Sequence, residues 1–393
     1  MAVGRQAFVV LAASFLLAGG AGTPARAATV GSYYNGARFE VLDDLAERND
    51  LVVTLAQKGD TVLVEEFGPS ALLAGDGCRK RSSRVVECNA KKEYGAPVRI
   101  DAGRADDRVR IRDPFAVHAV SVRGGAGDDH LDIVRGGGRL YGESGRDFLS
   151  GASGRDALYG GPGRDRLLAD AGNDYLNGDA VDANNETGPS ISADFIDGGP
   201  GGDIVAWGNR RGGHVNVDLA SGRRAGAPGE DDRLDAIENV VGTAGRDRLA
   251  GDGRSNRLFG RGGRDLLIGR GGSDRLDGGL AGWAYNGAPD GVADRYLCGR
   301  GTDLVVDPEL DPLLPGCERL DTSIRLHLDG QTIRVQPRPL RGNRYGFEAI
   351  CSLQSLKCRR RIVLVHRGRV VAKSRVVTTE DQRVLLVVKT PRP

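Results

Sequence analysis

Aromatic residues make up only 5% of this 393-residue chain, and methionine occurs once. A large globular core anchored by bulky side chains is therefore not expected. Catalytic signatures are missing too. There is no H-E-x-x-H motif, no G-x-S-x-G elbow and no C-x-x-C pair, which removes the common zinc hydrolases, α/β-hydrolases and zinc ribbons. His118, His130, His214, His327 and His366 are isolated from one another, and the carboxylates are too numerous for a glycosidase pair to be singled out. Asp182-Ala183-Asn184-Asn185-Glu186 lacks the glycine and closing glutamate of an EF-hand loop and reads as plain loop. Beyond the N-terminus no apolar run reaches the roughly 18 residues a spanning helix needs, so no membrane span is expected.

What is present begins with an export signal. Arg5, the apolar run from Ala7 to Ala18 and the stretch Thr23-Pro24-Ala25-Arg26-Ala27 read as a secretory signal peptide over residues 1–27, leaving Ala28 first in the mature chain. No cysteine lies near that cleavage point and Lys389-Thr390-Pro391-Arg392-Pro393 is no hydrophobic tail, so no lipid anchor is expected and the chain reads as secreted and extracellular. Six cysteines allow many connectivities. Proximity in sequence alone favours Cys78 with Cys88, Cys298 with Cys317 and Cys351 with Cys358, as disulfides formed under oxidising conditions; free thiols are the alternative.

Charge is unevenly spread. The formal net charge is +2, yet the segment from Asp321 to Pro393 holds 16 basic and 5 acidic residues. Lys357-Cys358-Arg359-Arg360-Arg361 makes this tail a candidate for extracellular or cell-wall polyanions; a solvated strand face is the plainer reading. Aromatic and basic residues are not interleaved, so no nucleic-acid partner is expected.

Sixty glycines point to repetition in place of a conventional core. From Gly124 the chain divides into nine-residue units: GGAGDDHLD, IVRGGGRLY, GESGRDFLS, GASGRDALY, GGPGRDRLL and ADAGNDYLN. Position six reads Asp129, Gly138, Asp147, Asp156, Asp165, Asp174, and position eight is leucine in all six, from Leu131 to Leu176. A second run, GTAGRDRLA, GDGRSNRLF, GRGGRDLLI and GRGGSDRLD, starts at Gly242, with Asp247, Asn256, Asp265 and Asp274 at position six and leucine again at position eight. One further unit, GGPGGDIVA from Gly198, places Asp203 at position six between the runs. Gly103 to Val109 looks like a degraded unit, so the array starts near Val98.

This pattern resembles the RTX, or haemolysin-type, calcium-binding repeat family, over roughly residues 98–320. The resemblance implies a parallel β-roll in which each unit is a six-residue turn and a three-residue strand, and two units form one coil. Alternation along the strand sends the position-eight leucine inward. The implied cofactor is calcium, a hard cation that takes carboxylate and carbonyl oxygens. Its implied ligands are Asp129, Asp147, Asp156, Asp165, Asp174, Asp203, Asp247, Asp265 and Asp274, paired one coil apart as Asp129 with Asp147, Asp147 with Asp165, Asp156 with Asp174, and Asp247 with Asp265. Gly138 and Asn256 should weaken the sites of Asp156 and Asp274. Position five departs from the family, with Arg146, Arg155, Arg164, Arg246 and Arg264 expected to reduce affinity. Glu143, Ala152, Ala169, Asp252 and Arg261 replace glycine at positions one or two, which puts those turns in question. His130 falls at a solvent-facing repeat position.

The fold expected is thus all-β: a parallel β-roll or solenoid of nonapeptide repeats with small flanking β regions. Residues 28–97 alternate Val and Leu with polar residues and read as an N-terminal β cap; 98–320 form the roll, with an insertion at 179–241; 321–393 form a basic β-domain closed by Cys351 and Cys358. A non-catalytic calcium-binding protein with a structural or adhesive role is the expected function. The alternative is a polysaccharide-active enzyme on a right-handed β-helix, which a polar cleft with clustered non-repeat carboxylates would reveal.

Overall fold

The computed structural model describes residues 27–33, 38–42, 47–55, 61–75, 77–89, 97–113, 119–179, 192–207, 213–278, 294–301, 303–306, 317 and 319–320, and then the strands 324–328, 331–335, 337–340, 344–350, 363–366, 369–373 and 383–389. No helix occurs among them. The expected signal peptide up to Arg26, the pair Cys351 and Cys358, the EF-hand-like stretch and the basic cluster Lys357 to Arg361 lie outside the described residues.

The centre of the chain is a β-roll. One parallel sheet stacks Val98–Asp101, Val120–Ala126, Gly138–Ser144, Ala157–Tyr159, Tyr175–Asn177, Ile204–Ala206, Asn239–Val241, Arg257–Phe259, Arg275–Asp277 and Leu304–Val306. A second stacks Arg108–Arg112, His130–Ile133, Phe148–Ser150, Arg166–Leu168, Phe195–Asp197 and Asp232–Asp235. The register joins like positions of successive coils: Leu131 to Leu149 to Leu167, and Leu140 to Leu158 to Leu176. Every position-eight leucine in both runs is fully buried, and together they form one core with Ile196, Val205 and Val240. Each coil brings only a few apolar residues to that core, so its stability depends on the neighbouring coils.

The segment between the runs is built differently from a simple loop. Asn216–Asp218, Arg223–Ala225 and Asp232–Asp235 run up, down and up within one coil. Asp232–Asp235 completes the second sheet by pairing with Phe195–Asp197, while Asn216–Asp218 starts a third sheet by pairing with Arg248–Ala250, followed by Leu266–Gly271 and Arg295–Arg300. The first sheet passes this point unbroken, because Ile204–Ala206 pairs directly with Asn239–Val241. Arg270 clamps the start of the third sheet through two bonds to Asp218, of 2.7 and 2.6 Å.

A cap of mixed strands, joined in parallel to the roll and mostly antiparallel beyond that joint, covers the N-terminal end of both sheets. Arg38–Leu42 pairs with Val98–Asp101 and is followed outward by Ala27–Tyr33 and Ala71–Ala74; Asp50–Leu55 pairs with Arg108–Arg112 and is followed by Thr61–Glu66, Val85–Asn89 and Cys78–Ser82. Such strands cover the open backbone edge of a parallel stack. Cys78 and Cys88 face each other in this cap and are disulfide-bonded, as are Cys298 and Cys317 near the last coils. In the C-terminal region the backbone forms antiparallel pairs: Ile324–Leu328 with Gln331–Val335, Arg344–Ile350 with both Pro337–Leu340 and Arg383–Lys389, and Val363–His366 with Arg369–Lys373.

Candidate functional site

The turns of the roll are organised by the position-six carboxylates. Each donates its backbone N–H to Oδ1 of the carboxylate one coil later: Asp129 to Asp147, Asp147 to Asp165, Asp156 to Asp174 and Asp247 to Asp265, all at 2.8 Å. The structure thus brings together the four pairs expected from the sequence. Asp174 bonds in the same way to Asp203, and Asn256 to Asp274. The buried backbone is capped by side chains, which forces every one of these carboxylates into the interior.

The second oxygen is the unusual one. Oδ2 of Asp129, Asp147, Asp165, Asp274 and Asp303 is buried and receives no hydrogen bond. Oδ2 of Asp174 and of Asp203 is likewise buried without a donor. In each case but Asp174 and Asp303, Oδ2 points at the position-one glycine of its own turn, where a Cβ would collide with it, as Gly124 shows for Asp129 and Gly160 for Asp165. An ionised carboxylate in such a place is costly without a cation or a proton. Burial accordingly pushes Asp129 up to about 8, Asp147 and Asp174 to about 7, and Asp165 to about 9, the donated backbone bond opposing it in each case. Asp203 and Asp274 rise to about 6, again chiefly by burial.

Residues 134–167, 150–182 and 250–280 match the family profile of the RTX calcium-binding nonapeptide repeat (4 copies). The chain carries RTX repeats. The matches overlap the two runs, and no curated protein matches the chain as a relative. Carboxylate oxygens without donors, set over glycines that leave room beside backbone carbonyls, are the hard-oxygen donor set that calcium takes, so the residues present fit the ion.

Several rungs of the RTX ladder escaped the sequence reading. Asp165 bonds to Asp194, Asp194 to Asp232, Asp265 to Asp294 and Asp274 to Asp303. Three of these steps span 29 residues and one spans 38, in place of the usual 18, so a fixed nine-residue frame passes over them. The usable signal was an Asp followed two residues later by an apolar side chain: Asp194 with Ile196, Asp232 with Leu234, Asp294 with Tyr296, Asp303 with Val305. At the other end, Asp107 of the degraded unit accepts the N–H of Asn49 and donates its own to Asp129, carrying the ladder into the cap.

Other expectations fare differently. His130 is half-buried, stacked on Phe148 with ring centroids 4.5 Å apart, and burial lowers its pKa. It belongs to an outward column of the second sheet in which Arg166 lies over Phe148 and Phe195, and Arg233 over Phe195. Arg146 at position five is exposed and turns to Asp128 of the preceding coil at 2.9 Å. Asp179, Glu230 and Asp232 form a buried group beside the insertion, with carboxylate oxygens within 4.8 Å of one another. Trp207 Nε1 donates to Asp232 there at 3.3 Å, and burial pushes Asp232 up to about 8.

Proposed function

We propose that this is an exported, non-catalytic protein whose RTX turns bind calcium and thereby stabilise the β-roll, in a structural or adhesive role outside the cell. The observation that carries the reading is the row of buried Oδ2 atoms without donors at Asp129, Asp147, Asp165 and Asp274. Asp174, Asp203 and Asp265, and with them Asp303, extend the ligand set. Export is supported by the N-terminal sequence and by the two disulfides. The acidic group at Asp179, Glu230 and Asp232 is enclosed, with Glu230 and Asp232 fully buried, so a polymer substrate does not reach it and binding is favoured over polysaccharide cleavage. The basic C-terminal strands are the candidate contact for extracellular polyanions.

Extracellular calcium modules work at about 10⁻⁴ to 10⁻³ M. Titrating the mature chain with calcium to about 10 mM, against a magnesium control, should give a cooperative gain of β signal in circular dichroism with calcium alone, since magnesium demands a small near-ideal octahedron and gives up its water reluctantly. An unchanged spectrum together with no heat of binding across that range would refute the proposal.

A further inference from the structure

The turns fall into two classes according to position two. In the first class this residue takes a positive φ: Gly125 at 113°, Glu143 at 73°, Gly161 at 105°, Arg270 at 73° and Gly299 at 103°. Position two then stays in line with the next coil. Gly125 pairs with Glu143, Arg270 pairs with Gly299, and Gly161 donates its N–H to the Gly178 carbonyl at 2.7 Å. The carboxylates of these same turns, Asp129, Asp147, Asp165, Asp274 and Asp303, each have an Oδ2 that receives no donor, and Asp174 and Asp203, behind Asp170 at 65° and Gly199 at 77°, follow the same rule. Holding Glu143 and Arg270 in the left-handed region costs conformational energy that a non-glycine residue rarely meets. Ion pairs hold both side chains, Glu143 to Arg123 and Arg270 to Asp218.

In the second class position two is Ala152, Thr243 or Asp252, and none of these takes a positive φ. Its amide instead turns back onto position six of its own turn. Ala152 N–H donates to Asp156 Oδ2 at 2.9 Å, Thr243 N–H to Asp247 Oδ2 at 2.6 Å, and Asp252 N–H to Asn256 Oδ1 at 2.9 Å. The Thr243 hydroxyl adds a bond of 3.0 Å to Asp247 Oδ1. These side chains are satisfied by the protein itself.

The closed turns are not scattered. Each stands where the coil before it has no aspartate at position six. Asp156 caps the N–H of Gly138, Asp247 caps that of Val215, and Asn256 donates to the carbonyl of Glu238. Asp156 and Asp247 are therefore the first rungs of their ladders, whereas Asn256 follows Glu238, whose carboxylate caps the Asp203 N–H. A carboxylate with no acidic neighbour behind it has nothing with which to share a cation, and here its own turn supplies the donor.

We propose that position two sorts the turns: those of Asp156 and Asp247 are metal-free starting rungs, that of Asn256 is a metal-free turn within its ladder, and calcium enters only the turns whose position two is left-handed. The proposal rests on the calcium-binding reading above and narrows it, removing Asp156 and Asp247 from the ligand set expected from the sequence. It also assigns Glu143 and Arg270 a role as positioning residues that keep their turns open.

The test is the number of calcium ions bound by the full mature chain, measured by equilibrium dialysis, for the parent and for Asp156→Asn and Asp165→Asn. Asn256 shows that an amide fits a closed turn. The expected result is an unchanged count for Asp156→Asn and the loss of at least one ion for Asp165→Asn. Asp247→Asn against Asp274→Asn repeats the comparison in the second run, should Asp165→Asn fail to fold. Loss of an ion from Asp156→Asn or Asp247→Asn would overturn the sorting while leaving calcium binding intact. A parent chain that binds none would overturn the functional reading itself, so the two failures are distinguishable.

Discussion

Replacing Asp165 by asparagine should stabilise the roll without calcium and lose much of that gain in its presence. Asp165 is almost fully buried, its Oδ1 accepts the Asp147 N–H at 2.8 Å, and its Oδ2 has no donor. Burial, with the charges of Asp194 and Asp147 adding to it, pushes the carboxyl up to about 9 from an ordinary value of 3.8. At pH 7 the unfolded chain carries this group ionised, so folding without a cation must take up a proton against roughly three pH units, a cost of about 4 kcal/mol. Asparagine keeps the Oδ1 acceptor and needs no proton. In chelator, Asp165→Asn should therefore raise the stability of the roll by about 3–4 kcal/mol. In calcium that gain should shrink by about 1.4 kcal/mol for each ion the variant loses, taken at ten times its dissociation constant. Urea unfolding followed by circular dichroism, in chelator and in millimolar calcium, gives both numbers. An equal change of stability in the two buffers would show that Oδ2 is not waiting for a cation and would refute the reasoning.

Further outcomes follow from the same geometry. The repeat carboxylates have folded-state pKa values raised above the unfolded one, so their contribution is complete below about pH 4 and is lost as pH climbs through about 6 to 9; the calcium-free chain should be most folded in mild acid, and circular dichroism across that range in chelator checks it. Calcium binding should instead strengthen with pH, since the ligands must be deprotonated, and dialysis at two pH values would show the opposite trend if protonation were irrelevant. Leu167→Ala removes a fully buried rung and should cost about 2–5 kcal/mol in saturating calcium, read from the urea midpoint. Converting both Cys298 and Cys317 to serine opens a loop of 19 residues and should cost about 3 kcal/mol, with thermal unfolding as the check.

The roll was legible because its two constraints repeat on a fixed frame. One inward leucine and one capping aspartate per unit set both the strand and the turn, and Leu131 to Leu176 with Asp129 to Asp174 display them without interruption. What the frame could not carry was anything that changes its length. Asp194, Asp232, Asp294 and Asp303 perform the same capping at longer spacings, where the short Asp-x-apolar signature remains but the frame that would single it out is lost. The difference between Ala152 and Glu143 was equally hidden. Both replace a glycine at position two, yet one folds its amide onto Asp156 and the other keeps a positive φ beside Asp147. That choice depends on an acidic neighbour one coil back and on the partner Arg123, neither of which is local in sequence.

The up-down-up passage at 216–235 divides the molecule in a way that matters for how order spreads. On one side the strands continue from Ile204–Ala206 straight to Asn239–Val241, while on the other the stack is handed over between sheets through the backbone bonds of Asn216 to Gly226, Gly222 to Asp218 and Leu234 to Gly222. Coupling between the halves therefore runs along one continuous wall and through the shared core, to which Val217, Ala225, Leu234 and Val240 belong. In a linear array each interface sets how far a folded segment propagates, so the handover at 216–235 is a splice in one wall of the solenoid, and the unbroken wall and the apolar thread inside carry order across it.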